Sequence, residues 1–241
     1  MLVKEWMTED PITIEENASI MKAVQMMKEH GMRRLPVVKA GKLVGIITDR
    51  DIREATPSKA TALDVHELYY LLSEIKVKDV MTPDPIAITP DVTVEYAAVV
   101  MLENCISGLP IIDEEKHVLG IITQTDIFKV LIHITGIYYG PWQIAFMLPA
   151  QPGLISELVQ DIRQWGARIV TVLSAYEGLE LERRRVYIRV TGIEEDKFKE
   201  MVESLKKNYE VLYWVKDDLS YIPRKGEVSK SQEASKALSK C

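Results

Sequence analysis

The chain has 241 residues, with 36 acidic against 30 basic side chains, a net charge of -6 and 47% hydrophobic content. That balance suits two or three small domains with buried cores and argues against a large nucleic-acid or anionic-membrane surface. No apolar run approaches the roughly 20 residues needed to cross a bilayer. Met1 is followed by an acidic segment instead of a signal peptide's basic and apolar regions, and two cysteines make no disulfide framework, so a cytoplasmic protein with Cys105 and Cys241 as thiols is expected.

In chain order, the first half is written twice. Residues 3–52 read VKEWMTEDPITI, an amphipathic stretch, RRLPVV and GIITDRDI; residues 77–127 read VKDVMTPDPIAI, a similar stretch, SGLPII and GIITQTDI. Val3, Met7, Asp10, Pro11, Leu35 and Pro36 recur 74 positions on, whereas Gly45, Thr48 and Asp51 recur 75 on, so one extra residue sits in the turn near Gly41 or near Glu115. Repeats that cannot bury their apolar faces singly stack, and ligands favour the crevice between stacked copies.

Each copy predicts a short strand (Ile12–Ile14; Ile86–Ile88), a helix, two strands and a second helix. The first helix runs from Ser19, as N-cap, to His30, with Ile20, Val24 and Met27 on one face and Gly31 as its stop. Its counterpart runs from Thr93 to about Asn104 and places Cys105 within the helical pattern. Leu35–Val38 and Val44–Thr48 read as a hairpin around Ala40 and Gly41, repeated by Leu109–Ile112 and Val118–Thr123. ATPSKAT is a loop signal, and Leu63–Ile75 a helix that closes the first copy.

From Trp142 the pattern changes. Gln143–Leu148 is strand-like, Gln151-Pro152-Gly153 a turn, Leu154–Trp165 a helix, Ile169–Glu177 and Arg183–Thr191 strands, Glu194–Lys207 a helix and Glu210–Lys216 a last strand. That βαββαβ order is typical of a ferredoxin-like sandwich. Glu177, Glu180 and Glu182 beside Arg183 to Arg185 read as a charged hairpin turn, and Arg224–Cys241 as a disordered polar tail. The fold class is therefore α/β (α+β), with segments 1–76, 77–138, 142–217 and 218–241.

Thr48 and Asp51, like Thr123 and Asp126, close an apolar strand and open a helix. One reading is a capping box, in which the Thr oxygen accepts an early helix N–H and the acid reaches back to the cap amide. The other uses the same geometry for a ligand: a helix N-terminus offers donors to a phosphate, and a carboxylate accepts the vicinal hydroxyls of a ribose. Spacing alone does not separate them.

Taken together, M-T-x-D-P-I, a helix, L-P and G-I-I-T-x-x-D, in that order and in both copies, resemble a tandem pair of CBS domains (a Bateman module) over about residues 3–135. The resemblance implies two βαββα repeats forming a pseudo-symmetric module with two adenosine-type sites, the Asp of one copy taking the ribose while the other copy encloses the base. Carried over by position, one site combines Thr48, Asp51, Thr82, Ile86, Ile88, Ile106, Ser107 and Pro110; the other combines Thr8, Ile12, Ile14, Met32, Arg33, Arg34, Pro36, Thr123 and Asp126. Arg33 and Arg34 stand where the second copy has Ser107 and Gly108, which suits the Asp126 site to a nucleotide carrying several phosphates, unless the two arginines are a solvated surface pair. Near Asp51 the nearest candidate cation is Arg50. AMP, ADP, ATP and S-adenosylmethionine all present the adenosine that the motif reads.

MLPAQPG, the helix after it and Gly166-Ala167-Arg168-Ile169 resemble an ACT domain, a module that often binds amino acids at paired interfaces. Gln151 replaces the acidic residue or Asn common before its Pro-Gly turn, and Gly153 either lets a ligand approach or only turns the chain. The CBS pair followed by an ACT-like domain resembles the acetoin-utilisation AcuB-like family, which implies a metabolic accessory or regulatory role without naming a target; Bateman modules and ACT domains both tend to pair, so a homodimer is expected, and a metabolic enzyme is the candidate partner. Tyr138, Tyr139 and Trp142 are expected to be exposed at the junction, for an interface or for packing. His30, His66, His117 and His133 have no zinc spacing, and no nucleophile elbow, Walker loop or dinucleotide fingerprint occurs, so a non-catalytic protein is expected. Three readings stay open: an adenosine sensor, an amino-acid sensor acting through Gln151 and Gly153, and a structural protein whose aspartates are only caps.

Overall fold

The computed structural model describes residues 1–55, 73–177 and 182–222. Most of the helix expected over Leu63–Ile75, the ATPSKAT loop after its first residue Ala55, Glu180, the tail from Arg224 and Cys241 lie outside those residues. The chain divides into two compact units, Met1–Val130 and Leu131–Cys241. No helix of the described residues is long and apolar enough to cross a membrane.

In the first unit, copy one contributes β1 (Thr8–Glu9), β2 (Ile14–Glu15), α1 (Ile20–Glu29), β3 (Arg34–Lys39), β4 (Lys42–Thr48) and α2 (Asp49–Ala55). Copy two contributes β5 (Thr82–Pro83), α3 (Val94–Glu103), β6 (Gly108–Ile112), β7 (Val118–Thr123) and α4 (Gln124–Thr135), the last running on into the second unit. Both first helices start as expected. Ser19 Oγ accepts the Lys22 amide at 3.3 Å and Thr93 Oγ1 the Tyr96 amide at 3.1 Å, each satisfying an otherwise orphaned donor. Gly31 stops α1 at φ +64°. Cys105, expected inside the helix, lies one residue beyond the C-cap Asn104, exposed and at φ +53°, in the conformation that the first copy gives to Gly31. The first hairpin turns through Ala40 and Gly41, both at positive φ as a two-residue hairpin loop requires. The extra residue belongs to the longer turn between Ile112 and Val118.

The two copies close each other's sheets. β5 of copy two pairs with β4, Thr82 facing Ile46, to complete the sheet β2-β3-β4-β5; β1 of copy one pairs with β7, Thr8 facing Ile121, to complete β1-β7-β6. These two-residue edge strands are absent from the sequence reading, since so short a segment carries no periodicity. The exchange extends to the core: Val77, at the start of copy two, is fully buried in the cluster of Ile14, Ile20, Leu35, Val37, Ile47 and Ile52.

The recurring Met and Gly explain the exchange. The Met81 thioether fills the space that a Cβ on Gly45 would take, and Met7 does the same over Gly120. A Cβ on Gly120 would stand 2.6 Å from Met7 Sδ and 3.0 Å from the Thr8 carbonyl oxygen. Gly120→Ala is therefore expected to lower stability by about 1–3 kcal/mol, as overpacking does. Denaturant midpoints should show the loss, with partial recovery in Gly120→Ala/Met7→Ala; a Gly120→Ala midpoint equal to wild type would contradict the packing.

The second unit has the predicted βαββαβ order: β8 (Trp142–Pro149), α5 (Leu154–Gln164), β9 (Arg168–Glu177), β10 (Arg183–Thr191), α6 (Glu195–Leu205) and β11 (Glu210–Lys216). Its antiparallel sheet runs β11-β8-β10-β9. Ile144, Phe146 and Leu148 of β8, with Val186, Ile188 and Val190 of β10, bury against Leu158 and Ile162 of α5 and Phe198, Met201, Val202 and Leu205 of α6. Tyr138 and Tyr139 are exposed as expected, but Trp142 is not. It is in phase with Ile144 and Phe146 on the core face of β8, only 3% exposed, and stacks on Phe198 with centroids 4.1 Å apart.

Candidate functional site

The strand-to-helix junctions at Thr48 and Thr123 are built alike. Asp51 Oδ2 accepts the Thr48 amide at 2.8 Å and its hydroxyl at 2.7 Å; Asp126 Oδ2 accepts the Thr123 amide at 3.0 Å and its hydroxyl at 2.7 Å. In the first junction the Asp51 amide also donates to Thr48 Oγ1 at 3.3 Å, so the capping reading is correct as local structure. The cap uses only one oxygen of each carboxylate and fixes its rotamer. What becomes of the other oxygen differs between the copies.

Asp126 Oδ1 accepts Lys129 Nζ at 2.8 Å, the Asp side chain 8% and the Lys side chain 63% exposed. Burial pushes the Asp126 carboxyl up, but hydrogen bonds from Lys129 and from the Thr123 hydroxyl and amide outweigh it and hold it below its ordinary range. Asp51 forms no ion pair among the described residues. The position matching Lys129 is Glu54, whose Oε1 instead accepts Arg50 Nε at 2.8 Å, which ties up the cation expected to serve the Asp51 site.

The arginines before Leu35-Pro36 also part ways. Arg33 is exposed and gives its carbonyl to the Asp49 amide at 2.9 Å. Arg34 is half-buried and crosses to copy two, where Nη2 donates to Ser107 Oγ at 2.7 Å and the guanidinium lies in the space a Cβ on Gly108 would occupy. Burial, and then the charge of Arg33, pull its pKa below the usual guanidinium value. Among the described residues neither arginine has a carboxylate ion partner.

Thr82 and Thr8 sit on β5 and β1, each beside the strand that ends in the other copy's Thr–Asp pair. The Ile88 amide donates to the Pro110 carbonyl at 3.1 Å, and Ile14 lies opposite Val37 on β3, one residue from Pro36. Ile14 and Ile88 are buried, and Pro36 and Pro110 with them. Ile12 and Met32 pack partly buried against the copy-one core, Ile106 is partly buried, and Ile86 is 43% exposed. The alternation thus leaves Ile12 and Ile86 with surface to meet a ligand, while Ile14 and Ile88 support them from within. Arg34 and Ser107, assigned to different sites, are bonded to each other.

In the second unit Gly153 precedes α5 at φ +91°, where a Cβ would stand 3.8 Å from Glu157 Oε1, and the Gln151 carbonyl accepts Arg184 Nη2 at 3.1 Å. In the turn after β6, Asp113, Glu115 and His117 each bring a ligand atom within 4.8 Å of the others. Asp113 is already taken by the His117 amide at 2.7 Å and Nδ1 at 3.0 Å, which locks the turn.

Residues 3–58 and 77–133 each match the model of the CBS domain. A CBS domain-containing protein of Dictyostelium discoideum is 33% identical over 135 residues, covering 56% of this chain and 93% of that protein. Inosine-5'-monophosphate dehydrogenase of Korarchaeum cryptofilum is 34% identical over 119 residues, 49% of this chain but only 22% of that enzyme, so the chain spans under a quarter of its length. Among solved structures, the CBS domain pair of protein MJ0100, in complex with 5'-methylthioadenosine and S-adenosyl-L-methionine, is 33% identical, with a TM-score of 0.46 over 54% of this chain and 95% of that one. A candidate acetoin utilization protein (AcuB) from Vibrio cholerae is 26% identical, with a TM-score of 0.48 over 57% of this chain and 95% of that one.

Proposed function

We propose that this chain, which belongs to the CBS domain family, is a non-catalytic regulatory protein that binds adenosine compounds at two sites between its repeats. AMP, ADP, ATP and S-adenosylmethionine are the candidate ligands. The observation that carries this reading is the strand-end carboxylate built twice, with one oxygen locked by its own Thr and the other turned away from the cap, without an ion pair among the described residues at Asp51 and against the exposed Lys129 at Asp126. A ribose diol supplies donors for that second oxygen, and the adjoining helix start suits a phosphate. Thr48, Asp51, Thr82, Ile86, Ile106 and Ser107 would form one site, supported by Ile88 and Pro110. Thr123, Asp126, Thr8, Ile12, Met32, Arg33 and Arg34 would form the other, supported by Ile14 and Pro36.

Occupancy shifts the arrangement of the copies only as far as the ligand binds one arrangement better than another, typically by about 1–3 kcal/mol. Residues 142–217 are assigned as an ACT-like module that pairs two chains and passes the signal to a partner, a metabolic enzyme of acetoin or carbon metabolism in the cytoplasm. Support for pairing comes from the edge strand β11, which exposes Leu212, Tyr213, Trp214 and Val215.

Two neighbouring arginines with no carboxylate partner among the described residues favour an anionic ligand at the Asp126 site. Isothermal titration with AMP, ATP and S-adenosylmethionine should show saturable binding. Arg34→Gln should weaken AMP and ATP by about tenfold or more at one site while sparing S-adenosylmethionine, which has no phosphate for that guanidinium to hold. Equal weakening of all three would place Arg34 in the packing between copies and outside ligand recognition. A second reading, an amino-acid effector at Gln151 and Gly153, is favoured by Arg184, whose Nε is buried without a hydrogen-bond partner beside that turn. Titrations silent with all three adenosine compounds and positive with an amino acid would replace the first reading by the second.

A further inference from the structure

The two aspartates differ in what stands one helical turn beyond them, and the difference reverses the sign of charge. Lys129 follows Asp126 and bonds to the oxygen that the cap leaves unused, at 2.8 Å. Glu54 follows Asp51 and turns instead to Arg50. We propose that Lys129 and Glu54 set the ligand class of the two sites: the Asp126 site takes an adenosine that carries phosphate, and the Asp51 site one that does not. This rests on the adenosine reading above and assigns a specificity-determining residue to each site.

The argument is one of what replaces a broken pair. A ribose that approaches Asp126 Oδ1 must share or displace Lys129, whose partner is a largely buried carboxylate. An uncharged ligand sends that exposed ammonium to water alone and leaves the Asp126 carboxylate, 8% exposed, without its ion partner, and a buried charge that loses its partner is costly. A phosphorylated ligand brings its own anion, which Lys129 can turn to within reach of the same helix start, with Arg33 and Arg34 as further donors on the copy-one strand assigned to that site. At Asp51 the ribose meets a carboxylate with no ion pair among the described residues, so nothing has to be displaced. A phosphate there would meet the carboxylate of Glu54, and like charges oppose binding, while Arg34, whose guanidinium reaches Ser107 and Gly108, is already bonded to the Ser107 hydroxyl.

The test isolates each site by silencing the other, with Asp51→Asn in one background and Asp126→Asn in the other, and titrates AMP and adenosine, which differ only by the phosphate. In the Asp51→Asn background, AMP should bind about tenfold or more tightly than adenosine, and Lys129→Glu should erase or invert that preference. In the Asp126→Asn background adenosine should bind at least as well as AMP, and Glu54→Lys should shift the preference toward AMP. Both side chains are largely exposed, and Lys129→Gln, which removes the charge and keeps the length, provides a second variant in case reversal disturbs α4. An AMP-to-adenosine ratio unchanged by Lys129→Glu and Lys129→Gln would overturn the charge assignment while leaving two adenosine sites standing. No binding of either compound to the wild-type chain would overturn both.

Discussion

Asp51→Asn is expected to weaken adenosine binding at its site by about ten- to a hundredfold while changing the stability of the chain by less than about 1 kcal/mol. The separation follows from which oxygen does what. The capping box needs one acceptor three residues beyond Thr48, whose amide and hydroxyl donate at 2.8 and 2.7 Å, and an Asn carbonyl supplies it, losing only the modest gain of a negative charge in the first helical turn. The carbonyl must then face Thr48, and the remaining position becomes an NH2 group. It donates where a ribose hydroxyl needs an acceptor, and it carries no charge to strengthen the bond.

Asp126→Asn should act alike at the other site, with one addition. The folded-state pKa of Asp126 is depressed, so the stability it contributes is present above the ordinary carboxylate range and is lost as pH falls through the lowered value. The Asn variant should lack that part of the acid sensitivity. Calorimetric titration beside denaturant midpoints checks both halves: binding unchanged in both variants would reduce the aspartates to caps, and a large stability loss would mean that the Asn does not keep the cap.

The repeat, its hairpins and its helix starts were legible because each is announced by residues with a local physical cause: Ser19 and Thr93 as caps, Ala40-Gly41 as a turn, alternation along β10. The exchange of β1 and β5 was not, since a two-residue strand has no period. Its trace in the sequence is the recurrence of Met7 with Gly120 and Met81 with Gly45, a large side chain and a missing one, which becomes a contact only once the copies are known to face each other. Trp142 stands two residues before Ile144 and four before Phe146, hence on their face of β8, so its burial was readable and was outweighed by its position at a junction. Lys129 and Glu54 went unseen for a different reason. Attention to positions that recur favours what the two copies share, whereas the features that distinguish their sites lie where the copies differ.

The largest stability effect belongs to a residue that alternation misfiles. Arg189 stands in β10 between Ile188 and Val190, on the face away from the two helices, yet it is 4% exposed. Its guanidinium donates to the Thr135 carbonyl at 2.9 Å, the Gly140 carbonyl at 2.8 Å, Asp217 Oδ2 at 2.8 Å and Gln143 Oε1 at 3.2 Å. It thereby ties the segment before β8, β8 itself and the residue after β11 across that face of the sheet. Arg189→Ala would strip the Gly140 carbonyl and the partly buried Asp217 carboxylate of this donor and leave the Thr135 carbonyl only the Thr171 hydroxyl at 3.2 Å. The expected loss is about 3–5 kcal/mol, the range for breaking a buried pair from one side.

Arg189→Lys should recover only part of it, because one ammonium cannot reproduce a planar fork that reaches several acceptors at once. Three of the four tryptophans, Trp142, Trp165 and Trp214, lie in residues 131–241, so intrinsic fluorescence during denaturation of the full chain reports mainly on this unit. The double variant Arg189→Ala/Asp217→Ala should lose less than the sum of the single losses, because once the guanidinium is gone Asp217 is a stranded charge whose removal helps. Additive losses would show that Arg189 and Asp217 act independently, and that the carbonyls of Thr135 and Gly140 account for the cost.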